Sequence, residues 1–439
     1  MILDHPNLSE SEVKLLVTAS ANVYQDQTSL NGWNVITPDL TNINYGLDPE
    51  LITGNVFNAE GFVVAGNTFG NANAAVFKSD SKILLAFRGT EIAEGDPGYW
   101  VALEQHYDLF EPLFQALDNY IEANPTSKIL VGGHSLGAAM AELYMAEHPE
   151  SLYSAVTIAS PIASNDPNDS RILNIGFEND PVYEITSGDP LGVEIGGANP
   201  NNATTDLFLN LDSTGFSGIN NHAVSEYVYA VNRLFDSNYF DQTKRDSFVI
   251  VDRKNSASKV SDVVLSSDKD VFLLGEDGKD DDFTGDQKND ILEGLGGNDT
   301  LKGDKLSASF FSGDDILDGG KGNDLLDGSG GKDLAVYTGN FADYDISPPN
   351  DQKIITINHA RGTQIDGTDT LRNIEFAQFQ DQTIDIARRS TAEPETVTRI
   401  IPLPLEDGVE QTEYVELEDT TANPNPNDLP TPPNVSLTA

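Results

Sequence analysis

The sequence predicts two units in series, an α/β unit with a mostly parallel sheet and a repetitive all-β unit. Three observations predict this. Short β-branched runs alternate with helical patterns up to about residue 255. From about 270 to 336, Asp and Gly recur with a period of nine. Hydrophobic residues make up 38% of the 439 residues, enough for packed cores.

The first helix is announced by Ser9 and Glu12, a capping-box spacing, and its apolar period runs to about Tyr24. Strands are expected at 82–87, 128–131, 155–159, 172–177 and 248–251, and helices at 103–123, 136–147 and 222–235. This alternation implies a parallel sheet covered on both faces. Residues 337–386 return to alternating patterns and are expected to form a small β cap. From 387 to 439 the chain is rich in Pro, Thr and Glu and reads as a disordered acidic tail. The expected organisation is thus 1–255, 256–336, 337–386 and 387–439.

Charge narrows the function. The chain has 25 basic and 71 acidic residues, a net charge of −46, which argues against nucleic acid or anionic membranes as partners. No apolar run reaches the length of a membrane span. With no cysteine, disulfides, zinc–thiolate sites and a cysteine nucleophile are excluded. The start, MILDHPNLSESEVKLL, lacks a basic stretch followed by an apolar one, so no cleavable leader is expected.

The segment KILVGGHSLGAAMAELYMAEH sets Ser135 between a strand and a helix. Gly133 and Gly137 flank it at ±2, where a sharp strand-to-helix turn leaves no room for side chains. Such an elbow exposes a nucleophilic hydroxyl, and the helix behind it favours developing negative charge. The pentapeptide GHSLG alone is weak evidence, and its strand–helix context is what gives it weight. Of the six histidines, His5, His106 and His148 precede the nucleophile or lie on its helix, and His359 lies beyond the repeats. His134 sits inside the elbow and is expected to point away from Ser135. His222 remains as the base. The orienting acid should follow a later strand, and RILNIGFENDPVY offers Asp180, with Glu178 as its nearest competitor; Asp189, Asp206 and Asp212 lie in looser loops. The order Ser135, Asp180, His222 is that of α/β hydrolases. The N–H of Leu136, with Thr90 at the end of KILLAFRGT, is the expected oxyanion pair.

The repeats approximate GGxGxDxUx, with U a large apolar residue. The aspartates are Asp281, Asp290, Asp299, Asp315, Asp324 and Asp333. Two places on stand Phe283, Leu292, Leu301, Leu317, Leu326 and Ala335. The step from Asp299 to Asp315 is 16 rather than 18, so the loop 303–312 interrupts the register. Carboxylates and main-chain carbonyls of stacked turns suit calcium, a hard cation tolerant of irregular oxygen geometry. The apolar residues would stack inside a parallel β-roll. Lys279 and Lys288 stand where the fourth-position glycine is expected, so weak binding is anticipated at the first turns.

Together, the elbow and the repeats resemble the calcium-dependent RTX lipases of Gram-negative bacteria, and the first part resembles class 3 lipases more broadly. The likeness runs from about Gly32 to Val336. It rests on GWNVIT (32–37), AFRGT (86–90), GHSLG (133–137), ASP (159–161), NIGFENDPVY (174–183), NNH (220–222), KRDSFVIVDR (244–253) and the repeats. DGTDTLRNIEFAQF (366–379) resembles a segment that often follows such repeats. The resemblance implies an α/β-hydrolase domain followed by a calcium-binding β-roll. It implies Ser135, Asp180 and His222 as the triad, Thr90 and Leu136 as oxyanion donors, Ca2+ as cofactor and fatty-acid esters as substrates. It also implies export by a type I system through an uncleaved carboxy-terminal signal. A secreted monomer acting on lipid or ester substrates is the resulting expectation. The chain departs from that pattern by lacking a long apolar lid insertion before GWNVIT. Only Tyr99, Trp100, Val101 and Leu103 stand as lid candidates after AFRGT, so a more open site is expected. Rival functions are a short-chain esterase, phospholipase A1 or polyester hydrolase. From another class comes a calcium-stabilised structural protein with an inert hydrolase domain.

Overall fold

The computed structural model describes residues 3, 5–24, 29–64, 67–68, 70–89, 103–161, 169–177, 180, 207–210, 222–244, 247–252, 269–305 and 312–387. Thr90, Tyr99, Trp100, Val101, Glu178, Pro181 and the tail from 388 lie outside the described residues.

Helix α1 (Glu10–Tyr24) opens on the expected box, in which Ser9 N–H donates to Glu12 Oε2 at 3.0 Å and Glu12 N–H to Ser9 Oγ at 3.3 Å. Short strands β1 (Asn34–Val35), β2 (Ile52–Thr53) and β3 (Val56–Ala59) follow, then a hairpin of β4 (Val63–Val64) and β5 (Asn67–Thr68). The main sheet is built on β6 (Ala72–Ser79), β7 (Lys82–Phe87), β8 (Lys128–His134), β9 (Tyr153–Ile158) and β10 (Ile172–Ile175). Its order is β10-β9-β8-β7-β6-β3-β2, with β1 on β6. Strands β7 to β10 run parallel and the edge from β6 outward is antiparallel.

Between β7 and β8 the expected helix 103–123 is two helices, α2 (Leu103–Asp108) and α3 (Glu111–Ala123), the second with Pro in its first turn. Helix α4 (Leu136–Glu147) joins β8 to β9, and α5 (Val224–Asp236) carries the apolar face expected after His222. Alternation along β7 shows how the sheet is covered. Leu84 and Ala86 pack with α1 and α5, whereas Ile83, Leu85 and Phe87 pack with α3 and α4. Helices on both faces force apolar residues at every position, which is why β8 and β9 read as continuous apolar runs.

The run at 248–252 does not join this sheet. It forms β12 (Phe248–Asp252), which pairs parallel with β11 (Leu207–Asn210) on one side and with β13 (Val271–Leu274) on the other. From β13 onward the chain coils. Strands β15 (Ile291–Glu293), β17 (Ile316–Asp318) and β19 (Leu334–Val336) extend one sheet; β14 (Asp282–Thr284), β16 (Thr300–Lys302) and β18 (Leu325–Asp327) form the facing one. Phe283, Leu292, Leu301, Leu317, Leu326 and Ala335 are all buried between the two sheets, as the period of nine requires. The cap adds β20 (Tyr344–Ile346), β21 (Ile355–His359), β22 (Thr368–Arg372), β23 (Phe376–Gln378) and β24 (Thr383–Asp385). Strand β22 pairs parallel with β18, and β23 with β19.

One apolar cluster spans both units. Val249, Val251, Phe272 and Leu274 pack with Tyr227, Ala230, Val231 and Leu234 of α5 and with α1. Polar contacts fasten the same seam: Ser237 Oγ donates to Glu293 Oε2 at 2.5 Å and the Tyr239 hydroxyl to Asp318 Oδ2 at 2.6 Å.

Candidate active site

Ser135 sits at the carboxyl end of β8 with φ 56° and ψ −126°, a left-handed conformation rarely taken by a residue with a side chain. The turn around it is tight. A β-carbon on Gly133 would lie 2.1 Å from Gly137 O, and one on Gly137 would lie 2.5 Å from Phe87 O. Both positions therefore exclude any side chain, which is the reason for the GHSLG spacing. The elbow is pinned by Ser135 N–H donating to Ile158 O at 2.9 Å. Leu136 begins α4, so its N–H belongs to the unpaired first turn of a helix, an environment suited to an anion.

Asp180 and His222, 42 residues apart, come together. His222 Nδ1 lies 3.0 Å from Asp180 Oδ1 and 2.9 Å from Oδ2, and both side chains are buried. This pairing presents Nε2 as the other ring nitrogen, and that atom is buried with no hydrogen-bond partner among the described residues. The carboxylate is held from a second direction. The Tyr227 hydroxyl donates to Asp180 Oδ2 at 2.7 Å and accepts from Phe177 N–H at 3.1 Å. Tyr227 sits on α5, five residues after His222, and its ring stacks near Phe177 with centroids 4.3 Å apart. Sequence reasoning passed over Tyr227, because an aromatic on the apolar face of a helix reads as core.

His134 packs against His222. Its ring lies 4.6 Å from that of His222, and its Nδ1 is 2.9 Å from the Tyr24 hydroxyl. Burial, and next to it the charge His222 can carry, push His134 down to about 3, so it stays neutral. Tyr24, the last residue of α1, fills the space under the end of β7; a β-carbon on Gly89 would meet its hydroxyl at 2.0 Å. Thr90 lies outside the described residues, so the second oxyanion donor is not placed.

The repeats build a second constellation. Along one edge of the roll, Asp281 N–H donates to Asp299 Oδ1 at 2.7 Å and Asp299 N–H to Asp324 Oδ1 at 2.8 Å. Along the other edge, Asp290 N–H donates to Asp315 Oδ1 at 2.9 Å and Asp315 N–H to Asp333 Oδ1 at 3.0 Å. The second oxygen of Asp299, Asp315, Asp324 and Asp333 is buried without a partner among the described residues. Each faces a glycine, and carbonyls of the next turn stand nearby: a β-carbon on Gly294 would meet Asp299 Oδ2 at 2.2 Å and Gly319 O at 2.9 Å. Burial pushes Asp299 up to about 8 and Asp333 up to about 9. Among the described residues no three Asp, Glu or His side chains gather into a metal cage. The oxygens on offer are one carboxylate and main-chain carbonyls, a donor set that fits a hard cation such as Ca2+.

The fourth-position glycines are explained by stacking of the turns. Gly297, Gly313, Gly322 and Gly331 each lie against a carbonyl of the preceding turn, and a β-carbon there would sit 1.5–1.8 Å from it. Lys279 and Lys288 supply two of these carbonyls, those that Gly297 and Gly313 lie against.

Residues 96–187 match the family model for Lipase (class 3), and residues 276–305 and 311–335 match the RTX calcium-binding nonapeptide repeat. Two proteins of Pseudomonas fluorescens, each named lipase, are similar. One is 27% identical over 180 residues, covering 34% of this chain and 37% of its own; the other is 25% identical over 198 residues, covering 38% and 44%. The chain thus spans less than half the length of these curated relatives. Among solved structures, the extracellular lipase LipA of Serratia marcescens aligns over 86% of this chain and 74% of its own, at 18% identity and TM-score 0.48. The lipase of Rhizopus microsporus var. chinensis aligns over 40% and 68%, at 17% identity and TM-score 0.26. Residues 96–187 are thus similar to class 3 lipases, and the roll at 276–335 to RTX calcium-binding repeats.

Proposed function

We propose that the protein is an extracellular, calcium-requiring serine carboxylic-ester hydrolase, a triacylglycerol lipase working through an acyl-enzyme. The observation that carries this reading is the buried Tyr227–Asp180–His222 array, set beside an elbow that holds Ser135 at positive φ. In this reading Ser135 Oγ attacks the ester carbonyl and His222 Nε2 takes its proton. Asp180, held by Tyr227, fixes the imidazole tautomer and stabilises the imidazolium that forms. The proton then passes to the leaving alcohol, and His222 activates the water that releases the fatty acid. The N–H of Leu136, with Thr90, would stabilise the tetrahedral oxygen. Neutral His134 under the His222 ring adds no positive charge to compete with the imidazolium.

Calcium, when bound by the turns at Asp281, Asp290, Asp299, Asp315, Asp324 and Asp333, supplies charge balance and folding free energy rather than chemistry at the ester. At the low calcium of a cell interior the repeats would stay unfolded, which suits export of the chain by a type I system. Of the expected division, the hydrolase to residue 255 gives up β11 and β12 to the sheet of the roll, and the roll is otherwise taken as 256–336, the cap as 337–386 and the acidic tail as 387–439.

A panel of nitrophenyl esters of increasing chain length, with an emulsified triglyceride, run with and without calcium, tests the reading. Turnover of the long-chain and emulsified substrates only with calcium is expected. Activity confined to soluble short esters would defeat the lipase assignment, and a fluorophosphonate that fails to label Ser135 in the calcium-loaded protein would defeat the enzyme.

A further inference from the structure

The six aspartate repeats end at residue 336, but the pattern they make in space does not. Four separate regularities of the edge that carries Asp281, Asp299 and Asp324 continue through residues 366–372. In the strand, β22 takes the next place after β18, with Leu371 beside Leu326 as Leu326 lies beside Leu301. In the glycine row, Gly367 has φ 65° and a β-carbon on it would lie 2.0 Å from Gly322 O, just as one on Gly322 would meet Gly297 O. In the row beside it, Asn323 N–H donates to Asn298 Oδ1 at 3.1 Å and Thr368 N–H to Asn323 Oδ1 at 2.8 Å. In the aspartate row, Asp299 N–H donates to Asp324 Oδ1 and Asp324 N–H donates to Asp369 Oδ1, both at 2.8 Å.

Residues 367–371 therefore occupy positions four to eight of a repeat, reading Gly, Thr, Asp, Thr, Leu, although 45 residues separate Asp324 from Asp369. The match to the repeat family stops at 335 and leaves this turn out. What points to a ligand here is Asp324. Its Oδ2 is buried without a partner among the described residues, and the side chain is 3% exposed. Asp369 is equally buried, at 2%. Asp369 is held by Asp324 N–H and by neighbouring Tyr337, whereas Asp324 Oδ2, closed off from water in the adjoining turn, carries a cost unless a cation meets it. We propose that residues 366–369 form a further calcium-binding turn, in which Asp369 supplies the carboxylate and binds the ion together with the turn at Gly322–Asp324. The inference rests on the calcium reading of the repeats, and it makes the cap a working part of the metal array rather than a lid on it.

Asp369→Asn tests this in the full chain. Asparagine keeps an Oδ1 that can accept from Asp324 N–H, so the hydrogen-bond row survives, but it removes the anionic oxygen. Equilibrium dialysis against radioactive calcium, followed by circular dichroism, is expected to show one fewer tight calcium per chain and a midpoint of calcium-induced folding raised several-fold. Asp351→Asn, at an exposed turn of the same cap, is expected to leave both unchanged. An unchanged calcium count and midpoint in Asp369→Asn would overturn the proposal. If that variant does not fold, an anomalous difference map from calcium-loaded crystals of the wild-type chain decides. A peak about 2.3–2.6 Å from the carboxylate oxygens of Asp324 and Asp369 supports the site, and its absence refutes it. If no calcium binds anywhere on the wild-type chain, the underlying reading of the repeats has failed instead.

Discussion

At the scale of single residues, the site is a chain of hydrogen bonds with one end left open. Phe177 N–H, the Tyr227 hydroxyl, the Asp180 carboxylate and His222 Nδ1 follow one another. Ser135→Ala is expected to lower turnover by roughly three to six orders of magnitude while calcium-induced folding, followed by circular dichroism, stays as in the wild type. Tyr227→Phe removes a hydrogen bond to a charged group, worth about 1.5 kcal/mol, so kcat should fall about tenfold with KM held. An unchanged kcat would show that the hydroxyl does not orient the acid. The juxtaposition of Asp180 and His222 was legible from chain order, and the elbow at Ser135 from local spacing. Tyr227 was not, since nothing along the chain distinguishes a tyrosine that braces a carboxylate from one that fills a core.

At the scale of elements, α1 is tied to the sheet by a charge cluster as well as by its apolar face. Glu12 receives Lys82 Nζ at 3.0 Å and Lys128 Nζ at 2.7 Å. Burial acts to raise the Glu12 carboxyl, but hydrogen bonds from Lys128, the Ser9 N–H and Lys82 outweigh it and hold the group at about 2. A depressed carboxyl stabilises the fold above its ordinary value near 4.5, and the contribution is lost as pH falls toward 2. Glu12→Gln should therefore cost about 1–2 kcal/mol at pH 7, after allowance for solvent screening of the lysines. Urea titrations should find the gap between variant and wild type closing on acidification; a gap independent of pH would show that packing, not charge, is what the variant loses. The capping box and most strands were legible because their signals are local. The partner of the strand at 248–252 was not. An apolar run of five residues announces a strand but not its sheet, and only the fold reveals that β12 seeds the roll.

At the scale of the molecule, the roll is continuous with the α/β unit. Strands β11 and β12 lie between Asp180 and the first repeat in sequence, yet they belong to the roll's sheet, and α5 packs on β12 and β13. Removing calcium should therefore reach the active site through α5, which begins two residues after His222. Chelation is expected to lower β content, enlarge the radius of gyration in X-ray scattering and abolish ester turnover together, with all three restored by added calcium. Identical scattering with and without chelator would refute this coupling. The repeats were legible as a roll from their period, whereas the turn at 366–369 was hidden by the intervening hairpin of the cap.

Because successive coils meet through glycines that tolerate no β-carbon, and because the chain passes from one sheet to the other at each half-coil, the roll can change length only by whole coils, which hold eighteen residues where no loop is inserted. Excising 276–293 would remove one whole storey and bring Gly294 to the place of Glu276, leaving every floor above with its neighbours intact. Excising 285–293 alone would exchange the two walls for all that follows, and no storey would then stand over its own supports.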